Sequence, residues 1–541
     1  RDSFVTVHTN NLIAGQLGNF IKLGNSQNVG AYDFFSLMHY ARNAASLDPN
    51  TLNTIEPLPA YAQFLNQLGR SDPLLTFADR AGMTTNYGVA TIPLSPVVTN
   101  TADSGPGTLR GALYYAFDHP GATITFNIPT SDAGFSNGVF NILPTDGLPA
   151  LVNTTTLDGA TQPTNSNPNG PEILLNGALV PVPSSYPSGL KFTGSNCLAR
   201  GFIIGGFPAY GVLMDGSLCS NNTLAGCFLG VNAAGTAALT NGSVGIQIGG
   251  GACSNTVGGV SAAARNIISG STFQGLVLRD PGTRNNSVLG NYIGLNAAGT
   301  AALPNSWVGI NIFGGAQSNH IGGANPSAFN VISGNTLQGI AISDTNTSGN
   351  VIDGNYIGLD PTGAAAIANG WSGVDIFGGA SGNFIGTTNV GVRNVISGNG
   401  NNGVSISGTG TSGNVVVGNY IGMNASGTVI VSNKWAGVSI LGGAQSNQVG
   451  VPGHGNVISG NGNQGVAISG SGTKGNVVVA NYLGVRPDGL AAPGNYWSGV
   501  AIFGGAQSNR FGGTTATERN IISGNRNQGI IIADVGTRGN V

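Results

Sequence analysis

The chain has 541 residues, with 19 Lys plus Arg against 21 Asp plus Glu and 91 glycines. That length exceeds what a single compact core usually organises, while 40% apolar residues without a Gly-X-Y period excludes both disorder and a collagen-like rod. A net charge of −2 with no basic run argues against nucleic acid as a partner, no stretch has the roughly 18–20 apolar residues of a membrane helix, and four cysteines make neither a disulfide framework nor zinc-type spacing.

Residues 1–90 differ from the rest. Charge is denser here, and RDSFVTV at the start is followed by Ser36-Leu37-Met38-His39-Tyr40, by TIEP at 54–57 and by TFADRAG at 76–82. A tight turn carrying Met beneath a three-histidine metal site is the mechanical meaning of a sequence such as SLMHY. The four landmarks, in this order, resemble the C-terminal part of an astacin-like (metzincin) zinc metallopeptidase over about 88 residues. The resemblance implies a partial α+β peptidase subdomain in which Met38 is the Met-turn residue. It also implies that Tyr40 ligates zinc and swings to stabilise the oxyanion formed during peptide hydrolysis. Zinc would be the cofactor and a peptide or protein the substrate.

The sequence departs from that family in one respect. No HExxH occurs, and the histidines are His8, His39, His119, His320 and His454, with no i,i+4 pair among them. RDSF follows the zinc motif in the family, so the chain is expected to be a fragment that begins just after it. Alone it should be inactive.

Residues 91–187 read as linker, cap and irregular first coils. VVTNTADSGPGTLRGALYYAF predicts a helix from about Thr108 to Phe117 after a Gly-Pro-Gly turn, placed to cover the open end of the solenoid that follows.

From 188 to 541 the pattern Gly-apolar-x-apolar recurs at Gly189, Gly211, Gly245, Gly275, Gly309, Gly339, Gly373, Gly403, Gly437, Gly465, Gly499 and Gly529. After a first spacing of 22 the intervals alternate between 34 and 28–30, so a 64-residue period is two coils. Each coil carries three short strands: GVxI, an Asn-led strand such as NVVV, and NVISG or NYIG. Columns of Asn, from Asn196 and Asn222 to Asn540 and from Asn266 to Asn520, would stack at the strand spacing of roughly 4.8 Å and occupy sharp left-handed corners. The fold class is therefore mainly β: a right-handed parallel β-helix of about 12 regular coils, truncated at its C-terminus. The phrases VTNTADSGPGTLR, GNYIG and NVISGN resemble a broad family of bacterial secreted proteins with pectin-lyase-like β-helix domains, which implies an extracellular, secreted or cell-surface location.

Alternate coils hold longer excursions, such as 295–307 and 359–371, expected to project from one side of the rod. Each ends near a tryptophan: Trp307, Trp371, Trp435 or Trp497. One indole per two coils makes a stripe at about 9–10 Å intervals. Such a stripe either packs the loops onto the rod or stacks against the sugars of a polysaccharide or cell-surface ligand. Acids are sparse in the repeats. Asp280, Asp344 and Asp534 share a column that suggests turn chemistry, and Cys219 and Cys253 occupy similar turns in successive coils, where a disulfide is sterically conceivable. The sequence thus favours a secreted zinc endopeptidase with a β-helix spacer or binding module. A non-catalytic adhesin or carbohydrate-binding rod is the alternative, and a polysaccharide lyase or hydrolase a further one.

Overall fold

The computed structural model describes residues 94–181, 188–389 and 391–541, together with the backbone of Val5–Val7 and Ile55–Pro57. The chain divides into two compact units, Arg1–Ser95 and Pro96–Val541. In the first, Val5–Val7, within RDSFVTV, pairs antiparallel with Ile55–Pro57, within TIEP, so that Thr6 faces Glu56.

The second unit is the right-handed parallel β-helix. Its strands form three sheets, of 12, 14 and 14 strands, in which parallel neighbours lie one coil apart along the chain. Sheet 1 holds the GVxI strands from Ser188–Phe192 to Ile530–Ile532. Sheet 2 holds the Asn-led strands and sheet 3 the NVISG and NYIG strands. Pairing is in strict register: Val374 faces Val404, Asp375 faces Ser405 and Ile376 faces Ile406. Val374 and Ile376 are fully buried, and so are their counterparts in the coils on either side, which gives one continuous apolar core from Val98 to Ala506. The glycine opening each GVxI strand is required by close approach. A Cβ on Gly373 would lie 2.6 Å from Ile396 Cγ2 and 2.8 Å from the carbonyl of Gly403.

The predicted cap is present. Helix Leu109–Asp118 starts at Thr108, whose Oγ1 accepts from Gly111 N (3.1 Å), and it buries Leu109, Ala112, Leu113 and Ala116 in the end of the core. Sheets 2 and 3 begin earlier than sheet 1, and sheet 3 opens on an antiparallel hairpin, Phe135–Ser136 with Val139–Ile142.

The asparagine columns form hydrogen-bonded ladders inside the rod. In the column leading sheet 2, each Nδ2 donates to the Oδ1 of the next coil's Asn, as in Asn319 to Asn350 (3.0 Å) and Asn350 to Asn383 (2.9 Å). Each Oδ1 also accepts from the preceding Asn backbone N–H, and Asn222 through Asn509 are fully buried. The column leading sheet 3 does the same from Asn266 to Asn520. Two expectations need correction. The left-handed residue is not the ladder Asn but the one before it, such as Asn221, Ser254, Asn285 and Ser318 at φ 53–57°. The register at the first coil is also one residue off. Asn196 takes the left-handed position (φ 56°), and Cys197 stands in the ladder, its N–H donating to Asn222 Oδ1 (2.8 Å). A third ladder, Asn305-Asn335-Asn369-Asn399-Asn433-Asn461-Asn495-Asn525, runs along the entry to sheet 1.

The long excursions do not project as expected. They double back as small hairpins closed by the antiparallel bridges Val231–Ala238, Leu295–Ala302, Leu359–Ala366 and Met423–Ile430. Their apolar residues Val231, Leu295, Leu303 and Ile367 cover the outer face of sheet 3 in a second apolar cluster with Phe228, Tyr292 and Tyr356. A two-coil period also brings the hairpins together, Ala297 N donating to Gly235 O and Ala425 N to Gly363 O (2.9 Å each).

Candidate binding face

Sheet 1 alternates inward Val and Ile with outward residues, so its outer surface is set by the x of GVxI and by the residue after Ile. On the excursion-bearing coils the x residues are Asn311, Asp375, Ser439 and Ala501, followed by Phe313, Phe377, Leu441 and Phe503. On the coils between, x is small or apolar: Val277, Ala341, Ser405 and Ala467. The result is a shallow floor of short side chains with an apolar margin along the strand ends.

The opposite margin is the tryptophan stripe. Each indole residue sits three positions before its strand and stacks in a backbone ladder, Trp371 N donating to Leu337 O (3.0 Å) and Asn401 N to Trp371 O (3.1 Å). Trp307, Trp371, Trp435 and Trp497 are 49, 49, 53 and 46% exposed, so each leaves a large part of its ring open to solvent. Phe273, one coil earlier, extends the row and meets Trp307 edge-to-face at 6.0 Å. Loop packing therefore accounts for only part of each ring's surface.

Two side-chain oxygens of this face are under-satisfied. Asn311 Oδ1 and Asp375 Oδ1 are buried without a hydrogen-bond partner. Gln338 Nε2 reaches Asp375 Oδ2 at 3.2 Å, and burial pushes the Asp375 carboxyl above its ordinary range against hydrogen bonds from Gln338 and Ser405. Asp375 is the one charged residue among the outward sheet 1 positions from Asn311 to Phe503. The cations beside the row are Lys434 and, stacked over Tyr496 at 4.5 Å, Arg526.

The remaining acids of the repeats serve the fold. Asp280, Asp344 and Asp534 adopt φ 72–77°, and their Oδ2 atoms accept from Gly250, Gly314 and Gly504 of the preceding coil, as the turn chemistry required. Asp360 Oδ1 closes its hairpin by accepting from Ala364 and Ala365, and Glu518 pairs with Arg510 at 2.8 Å. A pair not anticipated from the sequence joins two coils on sheet 2: His320 Nε2 lies 2.6 Å from Asp353 Oδ1, a contact that raises the imidazole above its usual value. Elsewhere on the rod, a cavity of about 410 Å³ is lined by Glu172, Arg200, Phe228 and Arg265. Both guanidinium groups there are engaged, Arg200 with Asp158 (2.6 Å) and Arg265 over the Tyr292 ring (4.2 Å).

All four cysteines are free thiols, so Cys219 and Cys253 form no disulfide; Cys253 instead pairs through its backbone with Ser220 and Arg284. Burial pushes Cys219 and Cys227 up to about 12 and raises Cys197.

Met38 and Tyr40 lie outside the described residues. Among the described residues, none of the histidines sits in a set that fits a zinc centre. His119 stacks on Tyr115 at 3.9 Å, His320 is held by Asp353, His454 sits in a turn with Val451, and the described residues contain no group of three or more His, Cys, Asp or Glu able to hold a metal ion. Among the described residues no helix is long and apolar enough to cross a membrane.

Residues 1–88 match the family model of the astacin peptidases. Among solved structures, the A-module of mannuronan C-5 epimerase AlgE6 from Azotobacter vinelandii is similar at 15% identity and TM-score 0.37, over 79% of this chain and 94% of that one. The Dettilon tailspike protein is similar at 18% identity and TM-score 0.41, over 84% and 73%. The periplasmic alginate epimerase AlgG is similar at 12% identity and TM-score 0.34, over 75% and 81%.

Proposed function

We propose that this chain is part of an extracellular zinc-dependent endopeptidase whose β-helix is a binding module that holds the enzyme to a polysaccharide surface. The match of residues 1–88 to astacin carries the peptidase half of the reading. Within that segment Met38 would be the Met-turn residue and Tyr40 the residue next to the scissile carbonyl. No HExxH occurs in the 541 residues, so the chain by itself should neither retain zinc nor cleave peptides. The decisive comparison sets this chain beside a protein that contains it together with an intact HExxHxxGxxH. Casein hydrolysis by the latter, abolished by chelation and weakened by Tyr40→Phe, is the expected result. A protein with substituted histidines at that motif, or one that is inert with zinc bound, would overturn the peptidase reading.

The exposed tryptophan row supports the binding half. It equally favours the second reading, a non-catalytic carbohydrate-binding rod, which becomes the answer if glycan binding is found and peptidase activity is not.

A further inference from the structure

We propose that the outer face of sheet 1 takes a neutral polysaccharide in an extended, two-fold ribbon conformation, lying along the rod axis with one disaccharide per two coils. The inference rests on the reading of the β-helix as a polysaccharide-binding module and specifies its ligand.

Two observations converge. The first is the period. Equivalent indoles recur at Trp307, Trp371, Trp435 and Trp497, every second coil, hence at roughly 9.6 Å for two strand spacings. In a ribbon of equatorially linked sugars, successive residues are flipped, so the same face returns once per disaccharide, over a length comparable to that spacing. A chain linked so that it coils, as amylose does, brings its faces round with a different rhythm and leaves a straight row. The ladder backbone keeps the row straight, because Leu337, Asn401 and Asn463 occupy the intervening steps at the same point of each coil.

The second observation is charge. From Asn311 to Phe503 the outward sheet 1 residues include no Lys or Arg, and the single acid among them, Asp375, is held by burial toward its neutral form. A uronate or sulfated chain laid on this floor would lose hydration at every charged group and find no row of cations in exchange; Arg279, over the Phe313 ring at 5.7 Å, and Lys434 and Arg526, beside the stripe, are single points.

Affinity electrophoresis of the intact chain in gels containing hydroxyethyl cellulose, polygalacturonate or amylose tests this, with Trp371→Ala and Trp435→Ala on separate coils as variants and circular dichroism to confirm that they fold. Retardation by the cellulose derivative alone is expected, weakened roughly ten-fold by each substitution, as for loss of one stacked aromatic contact. With cello-oligosaccharides, affinity should rise in steps of two sugars. Retardation in polygalacturonate or amylose, lost in Trp371→Ala, would keep the binding module and overturn the neutral ribbon. Binding to cellulose that neither variant weakens would overturn the assignment to this face. Retardation by none of the three polymers would overturn the binding reading itself.

Discussion

Substituting Asn350 by Ala tests whether the buried ladders hold the coils together. The Asn350 side chain takes part in four hydrogen bonds: Oδ1 accepts from Asn319 N and Nδ2 (3.0 Å each), and Nδ2 donates to Ala316 O (3.1 Å) and Asn383 Oδ1 (2.9 Å). Asn319 and Asn350 are both fully buried, so water cannot replace what is removed. The Asn319 N–H and the Ala316 carbonyl lose the partners described here. At roughly 1–3 kcal/mol for each orphaned buried group, the loss is roughly 2–6 kcal/mol. A solenoid need not unfold in one step, and the deficit should appear first at the two flanking coils. Hydrogen exchange resolved to single amides is therefore the assay. The Asn319 amide should exchange roughly 30-fold faster or more, while amides near Leu224 stay as protected as before. An Asn319 amide unchanged in Asn350→Ala, with an unfolding midpoint equal to that of the parent, would refute the ladder as a source of stability.

Three further outcomes are expected. Native protein should show one accessible thiol, Cys253, toward an aromatic disulfide reagent and four after denaturation, because Cys197, Cys219 and Cys227 are buried; more than one fast native thiol would contradict their burial. Burial raises the Asp375 carboxyl, so its contribution to stability is fully present below the unfolded carboxyl value and is lost as pH rises through the folded one. Asp375→Asn should raise the unfolding midpoint at neutral pH and leave it unchanged near pH 3; a lowered midpoint at neutral pH would show that the carboxylate is compensated. His320 is raised by its bond to Asp353, and that stabilisation is present below the unfolded imidazole value of about 6.5 and lost as pH rises through the folded one. The destabilisation caused by His320→Gln should therefore be larger at about pH 5.5 than at about pH 8.5, and a difference equal at both would show that the pair is not ionic.

Much of this architecture is legible in the sequence because the repeat is nearly exact where the backbone is. The two Asn columns that lead sheets 2 and 3 stand at fixed offsets from short strands, so they align correctly from Asn222 onward. The alignment fails at Asn196, where an Asn at the left-handed corner mimics the ladder residue and Cys197 takes the ladder's place. The third ladder is concealed because it follows the excursions, whose lengths shift its position relative to the preceding strand. The fate of those excursions is hidden for a related reason: Leu295, Leu303 and Ile367 are spaced by a hairpin, not by a strand or helix period. The His320–Asp353 pair joins the first outward position of one strand to the third of the next, which no single-coil pattern exposes. At the candidate face, the tryptophans are visible in the sequence, but the buried, unpartnered oxygens of Asn311 and Asp375 are not, since satisfaction depends on what neighbouring coils supply.

The alternation between coils with and without an excursion carries a consequence for how such a chain can change length. Removing one coil would set an excursion coil against another of its own kind, crowding the hairpins and breaking the rhythm of the indoles. Removing the 64 residues from Gly309 up to Gly373 would instead join like to like: every ladder would close on its proper partner, and the row of rings would simply be one step shorter. The rod is thus a ruler graduated in coil pairs. Unequal recombination between its own repeats could lengthen or shorten it without redesigning the core or either outer face.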